Sequence, residues 1–75
     1  MTIFELIRLL EAARIHFTLS AHLENGAVTA SCAVPGERWE IDVSEDGSVD
    51  FEVFPTSMNI AGVEEVLDRI ARYSD

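Results

Sequence analysis

The chain has 75 residues, 48% of them apolar and 25% charged, the composition of one small globular domain rather than a disordered segment. Its 14 acidic residues face 5 arginines and no lysine, and a net charge of −9 argues against the basic surface that nucleic-acid binding requires. No apolar run approaches the roughly 20 residues that span a bilayer; Met1-Thr2-Ile3-Phe4-Glu5 lacks a basic leader region, and a lone cysteine forms no internal disulfide. The expectation is a single domain over residues 1–75, cytoplasmic and without membrane contact. A domain this small is marginally stable, so its core must be efficiently packed or completed by a partner subunit.

Thr2 followed by Glu5 matches a capping box at the start of a helix. Ile3, Phe4, Leu6, Ile7, Leu9, Leu10 and Ala13 recur at helical spacing, with Glu5, Arg8 and Glu11 as the polar line. That apolar sector is broader than the ~100° of an ordinary surface helix. It calls for burial against a sheet and a second helix, or for a two-fold subunit interface through the first helix.

From His16 the period changes to two. Phe17, Leu19, Ala21 and Leu23 alternate with His16, Thr18, Ser20 and His22, and Asn25-Gly26 follows as a type I′ hairpin signal. A second strand carries Val28, Ala30, Cys32 and Val34 on one face and ends at Pro35-Gly36. Because Pro-Gly prefers a type II turn, a slightly wider loop with Val34 across from Glu37 is expected. A third strand sets Trp39, Ile41 and Val43 against Arg38, Glu40 and Asp42. Glu45-Asp46-Gly47 reads as a three-residue loop with a left-handed glycine, leading to a fourth strand with Val49, Phe51 and Val53 inward. Pro55 stops that strand. Asn59 is then expected to cap a final helix carrying Ile60, Val63, Val66, Leu67 and Ile70 on one side, with Glu65–Arg69 and Asp68–Arg72 paired four residues apart. The predicted fold is α+β, in the order α-β-β-β-β-α: a four-stranded antiparallel meander with both helices on its apolar face.

The turns also predict the register. A two-residue Asn25-Gly26 loop pairs Leu23 with Val28 and Ala21 with Ala30; the later turns pair Cys32 with Trp39 and Ile41 with Phe51. The outward rows then read His22, Thr29, Asp42, Asp50; Ser20, Ser31, Glu40, Glu52; and Thr18, Ala33, Arg38, Phe54. Asp42 faces Asp50 and Glu40 faces Glu52, an opposition that destabilises a sheet. Residues 37–54 hold seven of the 14 acids, relieved by Arg38 alone.

Two readings of this face compete: a binding surface for a basic partner, or a solvated face kept soluble by its charge. Asp42 and Asp50 could share a hard cation, but His22 lies about two strand spacings, ~10 Å, away, so no metal site is expected. His16 and His22 read as exposed strand residues and Cys32 as a small core side chain. Ser20 and Ser31 have no neighbouring base, and no phosphate loop or nucleophile–base pair appears, so no catalytic residue, cofactor or enzymatic activity is expected. Phe54 is either an exposed aromatic anchor beside the acids or a residue tucked under the last helix.

Pro35-Gly36-Glu37-Arg38-Trp39-Glu40, with Glu45-Asp46-Gly47-Ser48-Val49 and Glu52-Val53-Phe54, resembles a hairpin of small acidic bacterial proteins, some of them similar to immunity proteins that cap a toxin. The resemblance spans Pro35 to Phe54 and defines no binding residue. It implies a protein-binding role in a bacterial cytoplasm. The functional expectation is a non-enzymatic acidic module that engages a basic protein through Glu40, Asp42, Asp50, Glu52 and Phe54. The alternative is a self-associating subunit without a separate ligand.

Overall fold

The computed structural model describes residues 1–54, 58–61 and 63–73. The first helix, α1, runs Ile3–Ala12 and opens on a complete capping box: Glu5 N–H donates to Thr2 Oγ1 at 3.1 Å, and Thr2 N–H donates to Glu5 Oε1 at 2.9 Å. Accepting from Thr2 keeps the Glu5 carboxyl below its ordinary value. Its far end is closed without a glycine. Ile15 N–H reaches back to Leu10 O at 2.9 Å and Arg14 N–H to Glu11 O at 3.0 Å, while Leu10 and Ile15 are both buried. This is a Schellman motif whose left-handed position is filled by Arg14, at φ 58°.

The turn at residues 13–15 feeds β1 (His16–His22), followed by β2 (Ala27–Val34), β3 (Glu37–Ser44) and β4 (Val49–Phe54), all antiparallel neighbours in chain order. The α+β meander is therefore as its residues predict, and it is longer by one strand. Met58–Ala61 forms β5, with Phe51 opposite Ile60 and Glu52 opposite Asn59. Asn59 is thus a ladder residue rather than a helix cap, and α2 begins at Val63 and ends at Tyr73. Four residues are too few for periodicity to separate a strand from the first turn of a helix. β4 ends at Phe54, immediately before Pro55, which itself lies outside the described residues.

The central registers follow the turns. Cys32 pairs with Trp39, Ile41 with Phe51 and Val43 with Val49. Gly47, at φ 88°, takes the left-handed position of the β3–β4 loop and donates its N–H to Ser44 O at 2.9 Å. The β2–β3 connection is tighter than expected: Val34 does pair with Glu37, but across Pro35-Gly36 alone, Gly36 lying at φ 80° as a type II turn demands. Both turn residues are exposed, so their misfit with strand twist disturbs no packing.

The first hairpin departs from expectation. Leu23–Asn25 form a single 3-10 turn closed by Gly26 N–H to Leu23 O at 3.1 Å, and within this connection Gly26 alone has positive φ, at 64°. A type I′ turn requires positive φ at both Asn25 and Gly26. The connection is therefore four residues long, and β1 sits two places further along: Ala21 faces Val28, Leu19 faces Ala30 and Phe17 faces Cys32. A shift by two preserves the face of every side chain, so the hydrophobic pattern permits it.

Leu6 and Leu10 of α1, Val66 and Ile70 of α2 and the inward residues of β2, β3 and β4 form one core on a single face of the sheet. Trp39 is fully buried, edge-on to Phe51 at 5.5 Å and to Tyr73 at 5.2 Å between ring centroids. Its indole N–H donates to Glu37 Oε1 at 3.0 Å, and the same oxygen takes Arg69 Nη1 at 3.4 Å. Arg69 thus fastens α2 to β3 instead of pairing with Glu65, whereas Asp68–Arg72 forms as spaced, at 2.7 Å. Cys32 is 1% exposed, and burial pushes its thiol up to about 12. Core coverage thins at the β1 edge, where Leu19 is 45% exposed on the helix side.

Two outcomes follow from the α1 termini. Arg14→Gly removes the cost of a side chain at positive φ and raises stability by about 1 kcal/mol in urea titration. The Glu5 carboxylate has a lowered pKa in the fold, so its stabilisation is present above the ordinary carboxylate value and disappears as pH falls through the lowered one. Glu5→Gln accordingly costs most near neutrality, and the gap from the parent narrows on acidification in parallel denaturation curves.

Candidate functional site: the outer sheet face

The sheet turns its second face to solvent, and period-two alternation sends every other residue of β3 and β4 there. Asp42 and Asp50 are direct Cα partners, as are Glu40 and Glu52, and Arg38 and Phe54. All five residues expected to form a site therefore share one surface. The rows continue onto β2 as predicted, with Thr29 beside Asp42 and Ser31 beside Glu40. On β1 they are corrected by the two-residue shift: Ser20, not His22, lies across from Thr29, Thr18 across from Ser31, and His16 across from Ala33. His22 instead faces Ala27 at the end of the ladder.

The two carboxylate pairs have different surroundings. Asp42 is half-buried and accepts a hydrogen bond from the Thr29 hydroxyl, which orients it across the β2–β3 boundary. Asp50 is exposed. Glu40 has Arg38 Nη2 at 3.8 Å, a solvent-screened contact of little energetic weight. Arg38 spends its other side on Phe54, with the guanidinium 4.7 Å from the ring centroid. Phe54 thus remains on the outer side, half-buried beneath Arg38 rather than under α2. Arg38 is the sole cation beside these carboxylates among the described residues, and it is already engaged.

A shallow depression is lined by Ser20, Thr29, Ser31, Glu40, Asp42 and Asp50, with a second hollow over Glu40, Asp42, Asp50 and Glu52. Hydroxyls and the His22 imidazole line the β1–β2 side, and carboxylates the β3–β4 side. Chemically, the surface offers acceptors at strand spacing, about 4.8 Å apart, and suits guanidinium or ammonium groups. Among the described residues no group of three or more His, Cys, Asp or Glu has the geometry of a metal site. The role of Thr29 in steering Asp42 is legible only once the β2–β3 register is fixed.

Opposed like charges should cost stability here. Asp50→Asn, at the exposed member of the pair, raises stability by a few tenths of a kcal/mol in low salt, within the ~0.2–1 kcal/mol range of cross-strand pairs. The gain fades as added salt screens the pair. Denaturation at two ionic strengths measures both effects.

Comparison of the chain with protein-family models, with curated proteins and with solved structures returns no match.

Proposed function

We propose that the protein is a non-enzymatic interaction module that binds a basic protein surface through the outer face of β3 and β4, in the manner of an immunity protein or inhibitor of the bacterial cytoplasm. The observation that carries this reading is the register itself: Asp42 against Asp50 and Glu40 against Glu52, with Arg38, 3.8 Å from Glu40, the sole cation beside them among the described residues. Such an arrangement is unfavourable in the free protein and becomes favourable when cationic side chains enter the depression. Glu40, Asp42, Asp50 and Glu52 supply the charge. Phe54 adds an apolar edge, and lifting Arg38 from its ring exposes a stacking surface for an incoming arginine. The net charge of −9 steers a basic partner over distances comparable to the ~10 Å screening length at moderate salt.

Partner capture from source cells, followed by titration of the captured protein, tests this reading. The variant carrying Glu40→Gln, Asp42→Asn, Asp50→Asn and Glu52→Gln keeps the fold and binds at least tenfold more weakly at low ionic strength. Unchanged affinity of that variant at low salt overturns the proposal. A slower association rate in the variant, with dissociation little affected, is the kinetic signature of steering.

A further inference from the structure

The free edge of β1 and its helix side form a second surface, apart from the carboxylate pairs and of opposite character. β1 keeps all seven of its residues in regular register with β2, without a bulge, and it carries no proline, no lysine and no inward-pointing charge. These are the devices with which sheet edges avoid pairing with another chain. The opposite edge, β5, is only four residues long. On the helix side of β1, Leu19 is 45% exposed, and beyond its end Leu23 is 81% exposed. Phe4 of α1, 68% exposed, lines a groove of about 350 Å³ together with Leu23 and Val28, so apolar surface continues from the strand edge onto the helix.

Charge selects the occupant. Residues 12–23 contain Arg14, His16 and His22 and no carboxylate, and β2 behind them also has none. Glu24, next to Leu23, and Glu45, on the wall of the groove, lie beyond the end of the strand, so β1 itself offers a basic partner no acid. For two copies that each carry −9, however, the length of β1 is a stretch along which they approach without opposing carboxylates.

We infer that β1 is the contact through which a second copy of this chain docks, antiparallel about a two-fold axis at Leu19, joining the two sheets edge to edge. Across the axis Leu19 meets its own counterpart, Phe17 meets Ala21, and Thr18 meets Ser20. The exposed backbone groups of β1 complete a ladder, and the Phe4–Leu23 surface of each copy caps one end of the joint. The acidic rows stay open, so this inference stands or falls independently of the proposed basic partner.

The experiment is sedimentation equilibrium from micromolar to several hundred micromolar protein, on the parent chain and on Leu19→Lys. The parent is expected at twice the 8.3 kDa chain mass, and Leu19→Lys as a monomer with the parent's circular dichroism spectrum. A parent that stays monomeric throughout overturns the inference, as does a Leu19→Lys variant that dimerises equally well, which would move the interface to another face such as α1 alone. Should Leu19→Lys fail to fold, Leu19→Cys decides: strand partners directly across an axis lie within disulfide reach. With Cys32 buried, an intermolecular disulfide through position 19 under mild oxidation supports the joint, and persistence of the free thiol at dimer-forming concentration overturns it.

Discussion

Strand β3 must be dry on one side and ionised on the other, and the remaining structure is arranged to satisfy both demands at once. On the dry side Trp39 needs a complete apolar enclosure and a partner for its indole N–H. Phe51 and Tyr73 supply the enclosure edge-on, and Glu37, two residues earlier on the same strand, supplies the acceptor. That carboxylate also takes Arg69, so one polar cluster at the rim of the core sets how α2 lies on the sheet. The aromatic contacts and the polar cluster therefore depend on each other: displacing α2 would uncover Trp39 and leave Glu37 with less compensation for its partial burial.

On the wet side the same alternation exposes Glu40 and Asp42, and antiparallel pairing with β4 brings Glu52 and Asp50 against them. The uneven distribution of charge across the sheet is as informative as the pairs themselves. Carboxylates occupy β3, β4 and the loop between them, whereas β1 and β2 present hydroxyl, alanine and imidazole side chains. One part of the sheet is suited to a cationic protein and the other to an uncharged contact. Joined through β1, two copies would hold their carboxylate pairs about six strand spacings apart, roughly 29 Å, on one continuous surface. A basic target with two matching patches would then be held by both at once.

Much of this was legible in the sequence, because alternation and turn chemistry are strong signals where they are unambiguous. The α1 capping box, the Gly47 loop and the pairings of β2, β3 and β4 follow directly from residue identities, and so does the facing of Asp42 by Asp50. The β1 register was not legible, for a physical reason: an even slip leaves Phe17, Leu19 and Ala21 on the same face, so only the turn can choose, and Asn25 adopts a helical rather than a left-handed conformation. β5 was hidden because Ile60 fits the helical stripe of Val63 and Val66 as well as it fits a strand opposite Phe51. The end of α1 carried no glycine to mark it, since Arg14 occupies the left-handed position. The Glu37 cluster joins residues far apart in the chain, and no local pattern encodes such a meeting.

The single thiol occupies an informative place. Cys32 lies on β2, between Phe17 on one neighbouring strand and Trp39 on the other, where reagents from water do not reach it in the closed molecule. Its modification must wait for the ladder to part, so the pace of alkylation is a clock for the breathing of the sheet centre. Nature has left this chain with a built-in stopwatch, readable without adding a label.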